Sequence, residues 1–354
     1  MHLKNGVGVL PVNLIRTIAI VFVILLHAST QPYTDIELMS TQGVQIWWAS
    51  NVYNSLSRVC IPLFVMLTGA LLLQPSKADE PIKVFFKKRW TRLGVPVIFW
   101  AFVYFVWASI VNGKILPFDN SLLALLTGPG PYYHFWYLYL LFGMYLLTPV
   151  LRIILKYADK HILRYTFVLW FLGTAVVPLL TLFGQFYLNE NFFIFTGWIG
   201  YFVIGAYLTR VQIKPSFLIT GLVGGLLWTI IGTYLVIGSL GESYSQFFYD
   251  GFSINMIIVS TALFLLLLSI PSNLQKSMEK NCLIQLVSAN TLPIYLFHVI
   301  VLESLQNGYF GFTLKISSMN PFIAIPLSAT LTFFISLAVI LPLKKIPYVN
   351  KIIG

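Results

Sequence analysis

Charge is what this chain has least of. Only 9% of its 354 residues are Asp, Glu, Lys or Arg, 58% are hydrophobic, and the mean hydropathy is +0.84. Soluble globules carry roughly 25% charged residues, so a water-soluble fold is excluded and a polytopic membrane protein is expected. Acids are the scarcer sign, 11 against 22 basic residues. They fall nearly all in loops or at helix ends, whereas proton-coupled carriers place carboxylates in mid-membrane. Cysteine is almost missing: Cys60 lies within an apolar run and Cys282 beside one, which excludes a disulfide framework. There is no glycine-rich phosphate loop ending in Gly-Lys-Ser/Thr, no low-complexity tract, no strong internal repeat, and no polar stretch long enough for a soluble domain.

What is present is a series of ten apolar runs, approximately 12–30, 46–73, 93–112, 135–155, 164–184, 193–209, 216–238, 253–271, 285–304 and 320–343. Each is read against the 17–25 residues that a helix needs to cross a bilayer. With the N-terminus in the cytosol, every Lys and Arg except Arg58, Lys114 and Lys315 falls on the inner side. The positive-inside rule then puts both termini in the cytosol. The net charge of +11 follows from this asymmetry; spread over short loops beside anionic headgroups, it does not call for a nucleic-acid partner. The expected fold is all-α, one integral-membrane domain over residues 1–354 with about ten transmembrane helices. The first run has the look of a signal peptide, but Arg16 and His27 inside it mark a retained helix.

Those two residues are the first sign of function. Ionisable groups at membrane depth are costly and face a protein interior or a wet cavity. Arg16 and His27 are eleven residues apart, close to three helical turns, so they share a face about 16 Å apart along the axis. Counting along the runs puts His27, His298 and Arg58 in the middle or outer half of the membrane and His134 at the outer interface. The inner side offers Lys87-Lys88-Arg89-Trp90-Thr91-Arg92, in which Arg89 and Arg92 share a helical face. Paired guanidinium groups suit phosphate recognition. Plainer readings stand beside each of these. Arg16 snorkels, Arg89 and Arg92 serve only topology, and Arg58 locks packing against an acid. His134 and Trp136 form an interfacial belt, His27 or His298 bonds between helices, and Glu303 is a solvated helix end.

In sequence order these residues form a pattern. It runs from Arg16-x10-His27 through Arg58-Val-Cys-Ile-Pro62-Leu-Phe64 and Thr68-Gly69 to Arg89-Trp-Thr-Arg92 and His134-Phe-Trp136. It continues with Gly197-Trp-Ile-Gly-Tyr-Phe-Val-Ile-Gly205 and ends with Asn290-Thr-Leu-Pro-Ile-Tyr295-Leu-Phe-His298. The whole chain thereby resembles the membrane-bound acyltransferase-3 family, integral-membrane O-acyltransferases of bacterial envelope carbohydrates. It is similar in particular to the stand-alone branch that acts on enterobacterial common antigen. Thr68 replaces a common Ser, and Val299 follows His298 where Pro is frequent.

The resemblance implies an acyl-CoA co-substrate, most often acetyl-CoA, with no permanently bound cofactor and no metal. It also implies a carbohydrate or lipid-linked glycan acceptor and a bacterial cell-membrane location. Arg16, Arg89 and Arg92 are then expected to hold the CoA phosphates, with His27 and His298 catalytic and Arg58, His134, Trp136 and Tyr295 on the acceptor side. Tyr295, His298 and Arg58 are candidates for stabilising the oxyanion. The competing class is a transporter or flippase of a lipid-linked saccharide that uses the same buried groups for binding or proton coupling.

Overall fold

The computed structural model describes residues 10–30, 43–112, 130–184 and 197–354; Lys114, named above, lies outside them. A bilayer leaves no water for open backbone groups, and every described element is a helix. In order these are α1 Val12–Ser29, α2 Val44–Ser57, α3 Cys60–Leu72, α4 Ile82–Arg89, α5 Val95–Asn112, α6 Trp136–Tyr157, α7 Lys160–Phe171 and α8 Val177–Gly184. There follow α9 Trp198–Leu208, α10 Pro215–Leu240, α11 Ile254–Leu268, α12 Ser272–Lys280, α13 Cys282–Ala289, α14 Thr291–Asn307, α15 Pro321–Leu343 and the short α16 Val349–Ile352. π-helical turns at Trp90–Gly94 and Leu172–Val176 join α4 to α5 and α7 to α8.

Among the described residues eight helices are long and apolar enough to cross a membrane, or nine with α13 and α14 taken as one span. The chain is a multi-pass membrane protein. Two expected spans differ in kind from their reading. The described part of the run 193–209, from residue 197, gives the 11-residue α9, about 16 Å of helix and half a hydrocarbon core. The run 285–304 is not one rod: α13 and α14 meet at 77°.

Proline explains that bend. Pro293 has no N–H to give the carbonyl four residues back, which frees the Ala289 oxygen. Lys344, arriving from the end of α15, donates its ammonium to that oxygen at 3.3 Å, and burial pulls its pKa below the usual lysine range. Pro62 acts alike between α2 and α3, where it leaves the Arg58 carbonyl without its helical donor and the helix breaks at Arg58–Val59.

The centre of the bundle is α1, which packs against α2, α3, α13, α14 and α15. Its opening N–H groups have no cap of their own. Glu279 of α12 supplies one from outside, accepting from Leu14 N at 2.9 Å and Asn13 N at 3.2 Å. An anion there also complements the helix dipole. Ser288 Oγ donates to Asn13 Oδ1 at 2.7 Å and pins the same turn to α13. The second wall is α3 against α9, held by close glycine contacts. A Cβ on Gly69 would stand 1.8 Å from Phe202 O, and one on Gly205 would stand 2.0 Å from Met66 O. Small residues bring membrane helices together in this way.

Candidate functional site

Four helices carry histidines or their partners to one place near the end of α1. The His27 ring stands 5.2 Å from His298 of α14 and 5.2 Å from Tyr133, which opens the turn before α6. His134 lies 5.7 Å from His298 and 4.8 Å from Tyr104 of α5. His298 and His134 are fully buried, at 0% exposure, whereas His27 keeps accessible surface and Tyr133 is 49% exposed. Access to the cluster is therefore past Tyr133 and along His27.

The hydrogen bonds settle one tautomer. His298 Nδ1 is 2.6 Å from the Tyr295 carbonyl. A carbonyl only accepts, so Nδ1 carries the hydrogen and Nε2 keeps its lone pair. That Nε2 has no partner. Tyr295 donates its hydroxyl to the His134 carbonyl at 2.5 Å, which commits it to fixing the backbone before α6. Neither ring nitrogen of His134 makes a hydrogen bond of good geometry, although the Leu296 carbonyl lies close. Among the described residues no group of three or more His, Cys, Asp or Glu side chains is disposed to hold a metal ion.

Arg58 reaches the cluster from the α2–α3 break and acts electrostatically on His27. Its Nε donates to Asn54 Oδ1 at 2.6 Å and its Nη2 to Gln246 Oε1 at 3.2 Å, and the guanidinium lies 5.1 Å over the Tyr249 ring. It forms no ion pair with an acid among the described residues.

The other end of α1 is basic. Arg16, Arg89 and Arg92 all act electrostatically on Tyr145 of α6. The Arg89 guanidinium sits 5.7 Å over that ring and 5.3 Å over Phe85. The π turn at Trp90–Gly94 begins right after Arg89 and contains Arg92; such turns recur at functional sites. Tyr137, two turns before Tyr145 on α6, links the two ends. It acts on Arg16, and its ring is 5.6 Å from Tyr295, which in turn lies 5.8 Å from His298.

The structure thus brings His27, His298, His134, Tyr295 and Arg58 together at one end and Arg16, Arg89 and Arg92 at the other. His134 sits inside the wall, not at an outer rim. Trp136 does not join the cluster; it is 42% exposed and packs on Trp198 at 5.8 Å. The aromatic at the entrance is Tyr133, three residues earlier in the same Tyr-Tyr-His-Phe-Trp run. Glu303 is no solvated helix end: it accepts from Trp107 Nε1 at 2.7 Å and from the Tyr132 hydroxyl at 2.5 Å, anchoring the entrance turn.

Sequence reasoning also missed Tyr145, Glu279 and the lock below Arg89. In that lock Arg152, only 2% exposed, donates to Leu72 O at 2.7 Å and Glu80 Oε2 at 2.9 Å, and its guanidinium lies 4.7 Å over Phe85. Lys88 and Arg152 together hold the Glu80 carboxyl below its usual pKa, Lys88 contributing most. Burial, with Arg152 and Arg89 nearby, lowers the Lys77 ammonium.

The acyltransferase domain family model matches residues 11–341, nearly the full length, and the chain belongs to that family. The match gives the family and no narrower branch of it. No curated protein and no solved structure matches the chain.

Proposed function

With an acyltransferase family as the premise, we propose that this protein moves an acyl group, most often acetyl, from acyl-CoA to a hydroxyl of a cell-envelope or lipid-linked carbohydrate. The basic end of the bundle faces the cytosol of a bacterium, the only compartment holding acyl-CoA. Arg16, Arg89 and Arg92 bind the CoA phosphates, and the pantetheine arm follows α1 and the Tyr145–Tyr137 face toward His27. The observation that carries this reading is the pairing along one central helix of a three-arginine end with a three-histidine end.

His27, the accessible imidazole, takes the proton from the acceptor hydroxyl. That oxygen attacks the thioester carbonyl, and the tetrahedral intermediate expels the CoA thiolate, which takes up the proton that His27 had accepted. His298 positions His27: its ring, held by the bond from Nδ1 to the Tyr295 carbonyl, packs 5.2 Å from the His27 ring, centroid to centroid. Arg58 supplies positive charge for the oxyanion. Tyr133 offers a stacking face and a hydroxyl to the sugar, on the acceptor side where His134 and Trp136 are expected.

The test is transfer of label from acetyl-CoA to an envelope carbohydrate extract by purified protein. Wild type transfers label and His27→Ala, at equal folded yield, does not; full transfer by the variant overturns the reading. The flippase alternative predicts saccharide translocation without acyl-CoA consumption.

A further inference from the structure

A second basic pocket lies away from Arg16, Arg89 and Arg92, where α7 begins and α9 ends. It is a cavity of about 500 Å³ lined by Lys160, Arg164, Arg210, Tyr207 and Gln212, with Asp159 at its edge. None of the three cations forms an ion pair with a described acid. The Asp159 carboxylate also lines it and caps α7 through Ile162 N at 2.8 Å, one negative charge against three positive ones. A pocket with positive charge in excess calls for an anion.

The cavity does not stop at the charges. Leu163 and Tyr207 also line a narrow cleft that continues between α7 and α9 over Phe167, Trp170, Val203 and Ile204. The cleft is apolar but holds only about 20 Å³, room for a single water, so an acyl chain lies outside it, over exposed Ile162 and Tyr165 of α7, at 54% and 65%. A charged head pocket flanked by an apolar helix face is matched to an amphiphile, whereas a free anion would use only the first part. A zwitterionic headgroup would bring its ammonium against three cations.

We propose that this is a seat for one anionic phospholipid, its phosphate on Lys160, Arg164 and Arg210 and one acyl chain over the Ile162–Tyr165 flank of α7. Basic pockets between transmembrane helices hold anionic headgroups by the same physics. The lipid is structural or regulatory, separate from both substrates, so the proposal stands whether or not the acyl-transfer reading does.

Native mass spectrometry of the full chain, stripped in detergent and then given phosphatidylglycerol or phosphatidylcholine, tests it. Wild type retains one phosphatidylglycerol with about tenfold or greater preference, and excess inorganic phosphate does not displace it. Arg164→Gln/Arg210→Gln reduces retention by about tenfold or more. Ile162→Gln/Tyr165→Gln, which makes the flank polar and leaves the cations, also reduces it. Equal retention of both lipids, displacement by phosphate, or retention unchanged in both variants overturns the proposal.

Discussion

The two ends of α1 solve the problem of polar groups in a membrane in opposite ways. The histidine end is dry and aromatic. Its imidazoles are ringed by Tyr104, Tyr133, Phe135 and Tyr295, and several of its nitrogens are left without partners. The basic end is crowded with charge: Glu80 bridges Lys88 and Arg152, and Arg89 and Arg152 both lie over Phe85. An unpartnered buried nitrogen costs free energy, which a fold tolerates where that nitrogen has work to do on something not yet bound. An ion network holds shape, although Arg89 Nε is without a hydrogen-bond partner there. The first end is built to react and the second to grip.

Four experiments break or sharpen that contrast. The largest effect is expected at the reactive end, where His27→Ala lowers kcat by about 10²–10⁴. His298→Ala falls short of that, and the double variant is little worse than His27→Ala alone, as for residues acting as a unit. Additive losses in single-turnover acyl transfer would mean that the two rings act separately. Next, Arg89→Ala or Arg92→Ala weakens CoA binding about tenfold or more, by roughly 1.5–3 kcal/mol for a hydrogen bond to a charged group, and leaves acceptor KM alone. Calorimetric titration with CoA reads this, and unchanged affinity returns these residues to a topological role.

A smaller effect is expected from Glu303→Gln, which loosens Tyr132 and the entrance turn. Acceptor KM rises a few fold while CoA affinity stays; a change in CoA affinity would show that the ends are not independent. The smallest belongs to Glu80. Its carboxyl titrates below the usual range in the folded protein, so its contribution is present above the unfolded-state pKa and is lost as pH falls through the folded one. Thermal unfolding of wild type should therefore weaken on acidification toward that low range, and Glu80→Gln should flatten this part of the profile. Parallel profiles would remove Glu80 from the lock.

The bilayer made most of the fold legible. Apolar length fixes a span, and the one-sided distribution of Lys and Arg separates the two faces. Periodicity put Arg16 and His27 on one face of α1. What stayed hidden was set by partners far along the chain. Nothing near Arg152 signals Glu80, 72 positions away, or that Glu303 would receive Tyr132 across 171 positions. The bend at Asn290 was written in Pro293, yet its depth of 77° needed Lys344 as the partner for the freed carbonyl. Trp136 and Tyr133 stand three residues apart, one full turn of the 3-10 helix at Tyr133–Phe135 with which the run begins in place of a continuous α-helix.

The cap on α1 has a consequence for biogenesis. The bonds from Asn13 and Leu14 to Glu279 join positions 266 and 265 apart. At roughly 5–20 residues per second of synthesis, the first helix to leave the ribosome waits on the order of tens of seconds for the residue that closes its start. Throughout that interval Arg16 and His27 sit in a helix whose final neighbours, α12 to α15, have yet to be translated. A nascent chain halted before α12 would leave α1 with α2 and α3 as neighbours but without the Glu279 cap or the cover that α13 to α15 give it.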